Sequence, residues 1–155
     1  MRVIGSTVQA FLVHLPTRQV AMVQRADTGR WALPGGGVED MDVIACGEGS
    51  AQILALQREI LEELGLTSEV YELQHRAKSD YIFSQNAEMG HNVTVILAFC
   101  DSPTPPILKP QNPAEIFTAE WWPLAELSAL TSTRPMVSTH LARVQHFARV
   151  MKSVC

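Results

Sequence analysis

At 155 residues, 46% hydrophobic and 18% charged, the chain is long enough to bury a core without disulfide or metal staples and short enough to form a single domain, expected over 1–155. A formal charge of −4 with no cluster of Lys and Arg argues against long nucleic acid as a ligand, since such a surface would work against the whole molecule's field. No run reaches the ~20 apolar residues of a membrane span, and Cys46, Cys100 and Cys155 have neither disulfide-frame nor zinc spacing, which suits a reducing, cytoplasmic setting.

Val3 to Val13 and Gln19 to Gln24 read as strands joined by a turn at Pro16. The first is not expected to be a signal peptide, because Gln9 interrupts it and no small-residue cleavage site follows. A polar turn, Ala26 to Arg30, leads to Trp31-Ala32-Leu33. Pro34 with Gly35, Gly36 and Gly37 is then expected to break any regular element and to let backbone approach a ligand closely. A helix is expected from about Ser50, its N-cap, to Leu64, with Gly65 at its C-terminus and Ile53, Leu56, Ile60 and Leu64 as its apolar stripe.

Strand candidates follow at Val70 to Arg76, Asp80 to Phe83 and Val93 to Phe99. Five prolines between Asp101 and Pro113 require a rigid, irregular loop. Ala119 to Trp122 is the last strand candidate, and Pro123 opens a helical turn around Leu124 to Leu127. A closing helix is expected from Thr133 or Arg134, with Pro135 in its first turn and a stripe of Val137, Leu141, Val144, Ala148 and Met151. His14, His75, His91, His140 and His146 lack metal-ligand spacing. The order predicts an α/β fold, a mixed sheet with a helix on each face.

Within the central helix, Glu59, Glu62 and Glu63 are expected to share one face opposite the apolar stripe. Like charges at this spacing each destabilise a helix by roughly 0.2–0.5 kcal/mol. Arg58 offsets one of them at best, and a divalent cation would resolve the conflict. Clustered carboxylate oxygens suit the hard ions Mg²⁺ or Mn²⁺ better than zinc. An acidic exposed helix face is common without any metal, so context has to decide.

That context is Leu33-Pro34-Gly35-Gly36-Gly37 followed by Arg58-Glu59-Ile60-Leu61-Glu62-Glu63-Leu64-Gly65-Leu66. Residues 31 to 66 resemble the signature of the Nudix hydrolases, whose helix ends Arg-Glu-aliphatic-x-Glu-Glu-x-Gly-aliphatic. All seven defined positions of that half are present. The first half departs from the pattern, because Gly36 and Arg58 stand 22 positions apart instead of 14, an insertion of about eight residues. Glu48 is one candidate for the displaced first glutamate of the motif, with Glu39, Asp40 and Asp42 as others.

The resemblance implies a Nudix-type α/β/α sandwich and Mg²⁺-dependent hydrolysis of a pyrophosphate linkage in a nucleoside diphosphate-X substrate, such as a nucleoside triphosphate, a dinucleoside polyphosphate or a nucleotide sugar. It implies Glu59, Glu62 and Glu63, with a backbone carbonyl of Gly36 or Gly37, as metal ligands, Arg58 as the group orienting Glu59, and Glu59, Glu115 or Glu120 as general base. Candidate substrate contacts are Arg25, Trp31, Gly35, Gly36 and Tyr81, with one of Trp121 or Trp122 free to stack because adjacent strand residues face opposite ways. The expected partner is a small nucleotide, not a membrane, and a homodimer stays open. The alternative is a Nudix-like module that binds a nucleotide without cleaving it.

Overall fold

Period-two alternation along the first strand divides the molecule into layers. The computed structural model describes residues 6–39, 41–42, 48–73, 82–87, 91–136, 144–149 and 151. Its elements run β1 (Ser6–His14), β2 (Gln19–Arg25), β3 (Trp31–Ala32), β4 (Gly35–Gly37), α1 (Glu48–Leu64), β5 (Glu72–Leu73), β6 (Ile82–Ala87), β7 (His91–Cys100), β8 (Ile116–Pro123), a 3₁₀ turn (Leu124–Glu126) and α2 (Leu127–Thr133). Residues 144–149 are helical too.

The eight strands form one mixed sheet in which β1 and β7 run parallel and the other pairs antiparallel. Val8, Ala10 and Leu12 of β1 face one way and Phe11 and Val13 the other, all fully buried. The register Ala10↔Ile96 and Phe11↔Leu97 keeps the two faces in step. Ala55, Leu56, Ile60 and Leu64 of α1 cover the first face. Leu127, Met136, Val144, Phe147 and Met151 cover the second, where Phe11 and Phe147 stack with centroids 5.2 Å apart. The α/β/α sandwich expected from the sequence is present. Each fully buried Leu or Ile contributes about 1.5–3 kcal/mol, so packing of the α1 stripe outweighs the repulsion among its glutamates.

β1 and β2 pair only beside their connection, at Val13↔Val20 and His14↔Gln19. Beyond it they part, β1 turning to β4 (Gln9↔Gly35) and β2 to β3 (Val23↔Ala32). A wedge opens between them.

Several expectations are corrected. Gly35–Gly37 does not break regular structure but forms β4, because a backbone without side chains can lie against β1; a Cβ at Gly35 would collide with the Val8 carbonyl. The helix begins at Glu48, so Ser50 lies within it rather than capping it. Thr133 and Arg134 do not start the closing helix. Thr133 ends α2, and Arg134 is extended (φ −104°, ψ 120°) before Pro135, whose carbonyl accepts the Trp31 N–H at 2.8 Å. Val137, Leu141, Arg76, Asp80, Tyr81, His75, His140, Cys46 and Cys155 lie outside the described residues. His14 is fully buried, joined through its ring nitrogens to the Thr17 hydroxyl and the Ser102 carbonyl, both at 2.6 Å. Among the described residues no helix is long and apolar enough to cross a membrane.

Candidate active site

Glu59 and Glu63, one turn apart on α1, are buried, with 9% and 6% of their surface exposed. At 100° per residue both flank the Leu56-Ile60-Leu64 stripe rather than opposing it, whereas Glu62 points away and is exposed. The helix therefore divides the three glutamates expected on one face. The third carboxylate of the group comes from Glu115, exposed, at the end of the proline loop just before β8. One oxygen each of Glu59, Glu63 and Glu115 lie within 4.8 Å of one another.

The glycine strand closes over these groups. The Gly35 N–H donates to Glu63 Oε1 at 2.7 Å. A Cβ on Gly36 would stand 2.5 Å from Glu59 Oε1, so a side chain there would displace the Glu59 carboxylate from its present position. A cleft of about 280 Å³ fills the wedge between β1 and β2, lined by Thr7, Gln9, Arg25, Gly36, Glu63 and Glu115 among others.

Burial pushes the Glu63 carboxyl up to about 8; the Gly35 N–H opposes this, while Glu59 and Glu115 add to it. Burial, then the charge of Glu62, pushes Glu59 up to about 7 against the pull of Arg58. Two crowded carboxyls held partly neutral, facing a third, need a cation to ionise together. An all-oxygen donor set of this kind fits Mg²⁺ or Mn²⁺.

Arg58 donates to the Asp42 carboxylate and, at 3.2 Å, to the Gly37 carbonyl. It stands 3.7 Å from Glu59 Oε1, an ion pair without a hydrogen bond, and 3.8 Å from Glu39. Asp42 is 3% exposed and also accepts the Glu39 N–H at 2.7 Å. It lies six residues after Gly36, where the motif expects its first glutamate. Of the candidates Glu39, Asp40, Asp42 and Glu48, Asp42 is the one at that spacing from Gly36. The inserted residues fall after Asp42, in 43–47 and in the first turns of α1, which starts ten residues before Arg58. Glu48, the alternative candidate, opens that helix. Asp42→Ala is expected to cost about 1–3 kcal/mol in a denaturant melt, because it strands a half-buried guanidinium and the Glu39 N–H. Asp42→Asn, which keeps the acceptor toward Glu39, is expected to cost less. A melt of Asp42→Ala superimposable on the parent would remove this anchor.

Arg25 ends β2 at the cleft, bonded to Asp27 at 3.0 and 3.1 Å. Its pKa is raised first by that bond and further by Glu63 and Glu115. Two candidates lie elsewhere. Trp31 is buried on the far face of the sheet, 5.0 Å from the Trp122 ring, with the Arg134 guanidinium over both rings at 5.2 and 5.0 Å. Glu120 faces the same way, since it pairs with Met22 in register, and it accepts from Arg134 and from Trp122 Nε1. Trp121 and Trp122 do take opposite faces, but Trp121 is half-buried and donates through Nε1 to the Pro106 carbonyl at 2.8 Å.

Residues 5–142 match the family model described as NUDIX domain. No curated protein matches the chain. Among solved structures, the NUDIX domain of Shewanella oneidensis NrtR complexed with ADP ribose is similar at 19% identity and a TM-score of 0.65, over 97% of this chain and 90% of that one. RenU, a Nudix hydrolase from M. smegmatis, gives 17% and 0.67 over 97% and 88%. A C. elegans Ap4A hydrolase binary complex gives 17% and 0.64 over 95% and 98%. These likenesses show the fold. Together with the family model, which spans most of the sequence, they establish that the chain belongs to the Nudix hydrolase family.

Proposed function

We propose that this hydrolase splits a diphosphate linkage in a nucleoside diphosphate joined to a further group, in a reducing cytoplasm and with Mg²⁺ or Mn²⁺. The observation that carries the reading is the meeting of Glu59, Glu63 and Glu115, the last two of which line the cleft. The named neighbours support a nucleotide, since one is complexed with ADP ribose and another is an Ap4A hydrolase.

Glu59, Glu63 and Glu115, with the Gly36 carbonyl, would hold the ion. When bound, it supplies charge neutralisation on the phosphate oxygens and acidifies water. The chain's own residues do the rest. The side-chain-free strand Gly35–Gly37 admits phosphates to close backbone approach, and Arg25 faces them at the cleft edge. Arg58, fixed by Asp42 and the Gly37 carbonyl, keeps its charge beside Glu59 and favours the ionised carboxylate. Glu59 or the exposed Glu115 accepts the proton of the attacking water. Glu62, at the exposed side of α1, acts through its field on Glu59. Trp31 and Glu120, turned to the far face, are left out of the reaction.

Incubation with Mg²⁺ and a panel of nucleoside triphosphates, dinucleoside polyphosphates and nucleotide sugars is expected to give two phosphorylated products from at least one class. Recovery of every compound unchanged, with one of them bound in a calorimetric titration, would favour the binding-module alternative.

A further inference from the structure

The last carbonyls of a helix have no partner within it and must find one elsewhere. In α1 two of them are taken by the proline loop. The Gln111 N–H donates to the Glu62 carbonyl and the Lys109 N–H to the Leu64 carbonyl, both at 2.8 Å. Gly65 makes this approach feasible. Its φ of +71° turns the chain out of the helix, and a Cβ there would collide with the Lys109 carbonyl. Asn112 then bends the chain. Its carbonyl accepts the N–H groups of Glu115 at 3.1 Å and Ile116 at 3.0 Å, and its side-chain Oδ1 accepts the Ala114 N–H at 3.2 Å. The Glu115 carbonyl in turn accepts the Ala26 N–H at 2.9 Å, just past the end of β2.

The backbone of Glu115 is thus tied to the end of α1 on one side and to the end of β2 on the other. Pro110 lies between the two tied residues Lys109 and Gln111, and Pro113 follows Asn112, which lowers the entropy lost on ordering the segment. An exposed carboxylate on a loop would otherwise wander from two buried ones on a helix.

We propose that residues 109–112 form a strap that sets the Glu115 carboxylate opposite Glu59 and Glu63, with Asn112 as the positioning residue. This rests on the reading of those three glutamates as the ion-holding set. The strap makes the helix end and the loop one body, so the spacing of the three carboxylates is fixed before any ligand arrives.

Mn²⁺ titration followed by electron paramagnetic resonance, on the parent, Glu115→Gln, Asn112→Ala, Asn112→Asp and the double variant Asn112→Ala with Glu115→Gln, tests this. Glu115→Gln is expected to weaken Mn²⁺ about 10–100-fold, the scale of lost ligand support. Asn112→Ala is expected to weaken it roughly 3–10-fold, in line with one exposed hydrogen bond, and Asn112→Asp, which retains the acceptor, to restore most of the loss. The double variant should bind no more weakly than Glu115→Gln alone, because a positioning residue has nothing left to position. Additive losses in the double variant, or parental affinity in Asn112→Ala beside a weakened Glu115→Gln, would overturn the strap and leave the ligand assignment standing. Parental affinity in Glu115→Gln would overturn the ligand assignment, and the strap with it. Thermal melts of the same variants detect any that fail to fold. For such a case Gln111→Pro, which removes the donor to Glu62 and also fixes φ at that position, repeats the comparison, with Gln111→Ala as the control that keeps the N–H.

Discussion

Glu63→Gln is expected to lose about three orders of magnitude in turnover, on the scale of removing a group that acts in the reacting centre, while the metal-free protein becomes harder to unfold. The two effects have one cause. Glu63 is buried beside Glu59, and its carboxyl sits at about 8 because ionising it there is costly. A glutamine of the same shape keeps an oxygen for the Gly35 N–H and removes the charge. Without divalent metal at pH 8 the gain should be about 1–2 kcal/mol, since buried uncompensated charges are replaced favourably by neutral groups. Glu62→Gln, made at the exposed side of the same turn, is expected to show a far smaller loss and no such gain. Melting curves in EDTA and initial rates in Mg²⁺ are sufficient. Parental turnover in Glu63→Gln would end the assignment of this carboxylate, and a lower melting temperature in EDTA would show that its burial carries no penalty.

The metal-free protein is likewise expected to lose stability as the pH rises from about 5 to about 8. Glu59 and Glu63 are raised from 4.5 to about 7 and about 8, so the folded state keeps protons that the unfolded chain has already released. Their contribution is fully present below 4.5 and is lost as pH climbs through those two values. For a pair this close the total is on the order of 2–3 kcal/mol, less than two independent shifts would give, because the first ionisation opposes the second. Mg²⁺ binds the ionised form, so its stabilising effect should grow across the same window. Thermal melts at pH 5.5, 6.5, 7.5 and 8.5, with EDTA and with Mg²⁺, give both curves. Two parallel curves would contradict a site built from these carboxyls, and the Glu63→Gln curve in EDTA should be the flatter one.

Much of this was legible in the sequence. Short continuous apolar runs placed β1, β2 and β7, which are buried on both faces, and the Leu56-Ile60-Leu64 stripe placed α1, because run length and the 3.6 period report burial. The motif residues located the chemistry, but a helical wheel read as two opposed faces hid the fact that Glu59 and Glu63 border the stripe and Glu62 does not. Glu115 is brought in by the strap, a tertiary contact that no local pattern encodes. Trp31 and Glu120 were misplaced for a related reason. Alternation says that neighbours on a strand part ways, but it does not say which side carries the cleft. Asp42 stood among the candidates, and its spacing from Gly36 singles it out.

The uninterrupted parallel ladder from Ser6↔Asn92 to His14↔Cys100 joins the first strand to one that comes almost eighty residues later. Parallel neighbours cannot be connected by a tight turn, so the intervening excursion must be threaded before the ladder can zip, and it contains the glycine strand, Asp42 and both buried glutamates. Closing so long a circuit is slow. The segments that carry the site are thus enclosed by a pairing whose two strands lie far apart along the chain, so the site is complete only where that distant pairing has formed.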